Sequence, residues 1–253
     1  MTGAGATMAF MAFLIFCRIG GCLMFAPGFS SARVPLPIRL ALAVAISLAI
    51  TPLLYGTVAH DVSRQPDTLR PFLVITETLV GSAIGLMARF FVLALQFAAT
   101  AASSFIGLAG IPGIPIEESE SGSALATLAS TAAVTLILIT DLHMELLRAM
   151  IDSYSVISIA KPPEISWFAD TLVHVLAETS LLALRLSAPF LAYGVIVNLG
   201  IGLGNKFAAQ MSVYHATTGL VILGGFLLLS LVWGDWMALF LDSYRSWLMR
   251  GGL

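Results

Sequence analysis

The chain alternates between long apolar runs and short clusters of Pro, Gly, Ser and charge. Six runs contain about 20 or more mostly apolar residues, the length at which a helix crosses a roughly 30 Å hydrocarbon layer. They cover approximately residues 8–26, 40–58, 72–98, 122–140, 171–199 and 213–241. Their separators include "PGFSSARVPLPIR", "AHDVSRQPDTLRP" and "GLGNKFAAQMS". The short alternating segments of a membrane β-barrel are missing from this pattern. It predicts an all-α membrane protein of about six long apolar helices. The last two runs are joined by a short polar turn and follow the longest, most polar connection. A composition boundary near residue 165 therefore separates a four-segment region, residues 1–165, from a C-terminal helical hairpin, residues 166–253.

Composition supports this class. Hydrophobic residues make up 58% of the chain, charged residues 10%, and mean hydropathy is +0.97; a soluble domain carries roughly 25% charge. The net charge of −2 supplies no basic field, which argues against nucleic-acid binding. The N-terminal run lacks a positive leader and contains Arg18, so it reads as a retained membrane segment rather than a cleaved signal. Six crossings put both termini on one side. Arg64, Arg70, Arg148, Lys161, Arg245 and Arg250 fall on that side and Arg33, Arg39 and Lys206 on the other, which favours cytoplasmic termini. Cys17 and Cys22, five positions apart, point about 140° away from each other on a helix and read as small buried residues.

Several residues are costly where they stand. Arg18, Glu77, Arg89, Glu178, Arg185 and Asp235 lie inside or near the ends of apolar runs, where each costs about 2.5–3.5 kcal/mol at a bilayer centre unless it faces protein or water. A proton or ion relay is one reading. Interhelical pairing in a multi-subunit assembly is the other, and the scatter of His60, His143, His174 and His215 favours it. The sequence has no HExxH, no P-loop and no GxSxG elbow; no metal, cofactor or enzymatic activity is expected. Gly81-xxx-Gly85, Gly200-xxx-Gly204 and the ladder Ala41, Ala45, Ala49 have the small-residue spacing of closely packed membrane helices.

Between the third and fourth runs lies "GLAGIPGIPIEESESGS", residues 107–123. Gly107, Gly110 and Gly113 free the backbone and Pro112 and Pro115 interrupt helix, and irregular backbone at membrane depth needs protein or water around it. Leu108, Ile111, Ile114 and Ile116 suit a constriction closed by dewetting. The plainer reading is a solvated connection whose Ser119 or Ser121 caps the next helix, with Glu117, Glu118 and Glu120 favourable at its start.

Three stretches resemble the flagellar biosynthesis protein FliR family. "CRIGGCLMFAPGFSSARVPLPIRLALAVAISLAITPLL" has the N-terminal signature: an Arg-Ile-Gly at Arg18, the turn at Pro27 and Gly28, then Pro35 and Arg39 opening an Ala/Leu-rich helix. "ETLVGSAIGLMARFFVLALQFA" matches the third segment through Glu77, Gly81, Gly85 and Gln96. "APFLAYGVIVNLGIGLGNKFAAQMSVY" resembles the later signature, with Asn205, Lys206 and Gln210. The usual Ala-Pro-Gln turn is Ala208-Ala209-Gln210 here, and "HATTG" replaces the Gly-x-Pro that often follows.

The resemblance implies an integral membrane subunit of the flagellar type III protein export gate, in the bacterial inner (cytoplasmic) membrane at the flagellar basal body. Its helices would be packed as hairpins within a multi-subunit gate. Residues 1–165 would be FliP-like and residues 166–253 FliQ-like. Expected partners are FliP-like and FliQ-like subunits, other type III export components, unfolded export substrates and membrane lipid. By position, the family's pore plug falls on the loop near 107–123, with Leu108, Gly110, Ile111, Pro112, Gly113, Ile114, Pro115 and Ile116. Arg18, Pro27, Gly28, Pro35, Arg39, Glu77, Gly81, Gly85, Arg89, Glu178, Arg185, Asn205, Lys206 and Gln210 are the expected packing and assembly residues. The paralogous subunit of a virulence type III system shares these features. A small secondary transporter, the rival from another class, calls for inverted repeats, which a four-plus-two organisation does not offer.

Overall fold

The computed structural model describes residues 2–31, 34–63, 65–107, 124–159, 164–207 and 213–252. A backbone at membrane depth must satisfy its own hydrogen bonds, and each apolar run accordingly folds as helix. These helices are α1 (Thr2–Phe25), α2 (Leu36–Ser63), α3 (Arg70–Ile106), α4 (Ala124–Ile139), α6 (Ile165–Phe207) and α7 (Val213–Met249). A 3₁₀ turn, Asp67–Leu69, leads into α3, and no strand occurs among the described residues. Helices α1, α2, α3, α6 and α7 are each long and apolar enough to cross a membrane. A sixth span exists if α4 and its successor count as one bent crossing. The all-helical expectation holds.

The apolar-run criterion passes over α5 (Leu142–Val156), which lies within the polar connection. This helix is amphipathic rather than uniformly apolar. Leu142, Leu146, Ala149, Met150 and Ser153 are buried at helical spacing, while Arg148 and Asp152 face outward. It departs from α4 at 72°. Asp141 makes the corner with φ 57, a left-handed conformation that Asp tolerates better than most residues.

Several helices also outlast their apolar runs. With 37, 43 and 37 residues, α3, α6 and α7 reach about 55, 65 and 55 Å. These lengths are about twice a hydrocarbon layer.

The chain divides into two compact units. One comprises Met1–Phe90, Ile137–Ala177 and Tyr244–Leu253; the other comprises Phe91–Leu136 and Glu178–Ser243. Each unit draws residues from both sides of position 165. The core of the first includes Leu14, Ile15, Ile19, Cys22, Ile84 and Met87, all buried. In the second, Phe190 and Trp236 meet edge to face at 5.2 Å, and the Trp236 indole N–H donates to the Leu186 carbonyl at 2.9 Å. That bond registers α6 against α7. Pro189 and Pro52 lie within α6 and α2, as membrane helices allow.

Candidate functional site

The costliest residue of the first run becomes the centre of the first unit. Arg18, on α1, is 0% exposed. Its Nε donates to Glu77 Oε2 at 2.7 Å and its Nη2 to Glu77 Oε1 at 2.8 Å, a two-pronged pair with α3. Nη1 donates to Ser153 Oγ on α5 at 3.0 Å, and Nη2 also reaches the Ile157 carbonyl just beyond α5 at 3.2 Å. The guanidinium carbon stands 3.8 Å from the centre of the Tyr154 ring, within cation–π range. One side chain thus holds three helices that are far apart in sequence.

Backbone approach makes this reach possible. Glu77, Gly81 and Gly85 recur every four residues and share one face of α3. A Cβ on Gly81 would overlap the Arg18 carbonyl, and one on Gly85 the Cys22 carbonyl. On the α1 side, a Cβ on Gly21 would lie 2.7 Å from the Thr78 carbonyl oxygen. Glycines on both helices therefore let α1 and α3 cross nearly backbone to backbone, and that crossing brings Arg18 onto Glu77. The chemistry of this node is that of a clamp, a desolvated charge pair worth most when every donor is met.

The other expected packing residues divide by position. Pro27 is buried, and Gly28 forms the following turn with φ 85, which glycine adopts readily. Arg39 folds back from α2 so that Nε donates to the Val34 carbonyl at 3.0 Å and Nη2 to the Ser31 carbonyl, holding the segment that contains Pro35. Glu178 is half-buried on α6, whereas Arg89 and Arg185 are exposed on α3 and α6, as are Asn205 and Lys206 at the end of α6. Within this chain, a Cβ on Gly200 would meet nothing within 4 Å. Close approaches in this unit occur instead at Gly194, facing Phe105, and Gly225, facing Ile106. Gln210 lies outside the described residues.

The expected plug residues Leu108, Gly110, Ile111, Pro112, Gly113, Ile114, Pro115 and Ile116 also lie outside the described residues, as do Ser119 and Ser121. Their attachment points are described. Helix α3 ends at Ile106, which is fully buried, and Gly107 follows with φ 86. The chain resumes at Ala124 in α4, where Leu125, Ala126 and Ala129 are buried. Both attachment points belong to the second unit.

Sequence comparison supplies the family. The profile of "Bacterial export proteins, family 1" matches residues 9–246, nearly the whole chain and at least part of every helix described above. The chain belongs to the FliR family of bacterial export proteins. Among its relatives, the flagellar biosynthetic protein FliR of Caulobacter vibrioides is 28% identical over 245 residues, covering 96% of each chain. The Escherichia coli protein of the same name is 26% identical over 197 residues, 78% of this chain and 74% of that one. Bacillus subtilis FliR is 25% identical over 219 residues, 85% and 83% respectively. Similarity along the full length ties the Arg18 segment, α3 and the C-terminal hairpin to one family architecture. Sequence reasoning singled out Arg18 and Glu77 separately. It missed Ser153, Tyr154 and the Ile157 carbonyl, whose signal was a Ser-Tyr pair on the apolar face of the overlooked α5.

Proposed function

We propose that this chain is a structural, non-enzymatic subunit of the flagellar type III export gate, in which residues 107–123 close the conduit. The chain is a membrane component of the flagellar basal body in the bacterial inner membrane. FliP-like and FliQ-like subunits are its partners, with residues 1–165 standing in for a FliP-like element and residues 166–253 for a FliQ-like hairpin. Unfolded flagellar proteins are the cargo.

One observation carries the closure. The Gly/Pro-jointed apolar loop leaves a fully buried helix end at Ile106, seated where Gly225 has no side chain, and returns to a buried helix start at Leu125. The Leu and Ile side chains of the loop are suited to exclude water from a narrow passage.

Replacing Ile111–Ile116 with a Gly/Ser linker tests the assignment. The expected variant still assembles, as judged by intact gate complexes in detergent extracts, but makes cells leaky to small ions and dyes. Unchanged permeability in cells with assembled gate contradicts the plug role.

A further inference from the structure

The first unit has two outer faces of opposite character. On α2, the outward side chains Leu40, Val44, Leu48 and Leu53 are exposed and apolar. On α5 and its corner, Asp141, Arg148, Asp152 and Ser155 are exposed and Glu145 is half-buried. These five positions follow one another at intervals of four, three, four and three residues, which aligns them along one side of the helix. The buried Leu142, Leu146, Ala149 and Ser153 lie on the other side. The polar stripe is about 21 Å long, and Met144 and Val156 flank it.

The depth of α5 follows from its contacts. Arg18 and Glu77 each lie within an apolar span, Thr7–Phe25 and Arg70–Ile106 respectively. The Arg18 guanidinium bonds Ser153 and the Ile157 carbonyl, so α5 packs against the body of the α1 span. Hydrocarbon against four ionisable side chains is strongly unfavourable at that depth, and the stripe therefore faces water or polar protein. Its own chemistry selects water. Arg148 Nη1 donates to Glu145 Oε1 at 2.7 Å, and Arg148 stays 71% exposed, so this pair calls for no outside partner. A subunit seated on the stripe would strip water from that pair and from Asp141 and Asp152, a penalty that only a matched set of charges offsets.

We infer that the outward stripe of α5 is a wet lining of the export conduit, over which unfolded cargo passes; the inference rests on the export-gate reading. Three acids and one base keep the stripe hydrated and offer an extended chain little apolar surface to adhere to. One short helix then has two roles. Its dry side holds Arg18 through Ser153 and Tyr154, and its wet side keeps the passage polar. The change of character comes at the Asp141 corner, where the uniformly apolar α4 has ended.

Thiol labelling of the gate with and without cargo tests this lining. Arg148→Cys and Asp152→Cys are made singly in the full chain, with Leu48→Cys as the control on the dry face of α2. Cys17 and Cys22 are both buried, and the unsubstituted chain gives the labelling background. Each variant is purified with the subunits it assembles with, in nanodiscs, either idle or jammed by an export substrate fused to a folded domain too large to enter. In the idle gate, a charged, water-soluble methanethiosulfonate reagent should modify both α5 sites several-fold faster than Leu48→Cys. Jamming should slow both α5 sites several-fold. Equal rates in idle and jammed gates overturn the proposal in favour of a surface on bulk water. Protection of both sites in the idle gate overturns it in favour of a covering subunit or lipid. Retention of the jamming substrate is scored on the same samples, which separates the two levels of the claim. Substrate retained with unchanged α5 labelling refutes the lining and leaves the export-gate reading standing, whereas an assembled gate that retains no substrate refutes both.

Discussion

Arg18 has no route to water and depends on Glu77, Ser153 and the Ile157 carbonyl for its donors. Removing one partner of such a buried pair strands the other, at a typical cost of about 3–5 kcal/mol, whereas replacing both with apolar residues costs far less. Arg18→Met and Glu77→Leu should therefore each lower the thermal midpoint of the detergent-purified chain markedly. The double variant Arg18→Met/Glu77→Leu should lie closer to wild type than either single. Additive losses in the double variant would remove the clamp from the account. The sequence made the expense of Arg18 and Glu77 legible, because charge in an apolar run is visible without a structure. Their pairing was not, since a separation of 59 positions leaves no periodic trace. Ser153 and Tyr154 were hidden for a related reason: each is ordinary until a guanidinium is placed beside it.

Among the elements, the crossing of α1 and α3 depends on missing side chains. A methyl at Gly81 has to displace the Arg18 backbone, and overpacking of this kind costs about 1–3 kcal/mol. Gly56, in α2, has nothing within 4 Å of its would-be Cβ, and glycine inside a helix is about 1 kcal/mol worse than alanine. Gly81→Ala should lower stability and Gly56→Ala should preserve or raise it, measured by the same thermal assay. At the corner between α4 and α5, Asp141→Gly should be tolerated. Asp141→Val, whose β-branched side chain resists φ 57, should cost about 1–2 kcal/mol. Equal stability of the two would mean that the corner relaxes. Small-residue spacing made Gly81 and Gly85 readable as a contact, whereas Gly200 has no neighbour within 4 Å of its would-be Cβ in this chain. Spacing identifies a face on which approach is possible, and only the neighbouring helix determines whether it occurs. Helix α5 escaped notice because a length criterion for continuous apolar residues is blind to a helix with one wet face.

At the scale of the whole molecule, six apolar runs correspond to six of the seven described helices, and the class of the protein follows from its hydropathy alone. What hydropathy does not set is depth: α3, α6 and α7 continue past any plausible bilayer as unbroken helix. Membership in an export gate is tested most directly by affinity purification of the tagged full chain from its own membranes, followed by mass spectrometry of the intact complex and its components. The expected result is one assembly containing FliP-like and FliQ-like subunits with this chain. Recovery of this chain alone, as a monomer or self-association, under detergent conditions that preserve other basal-body complexes would contradict it.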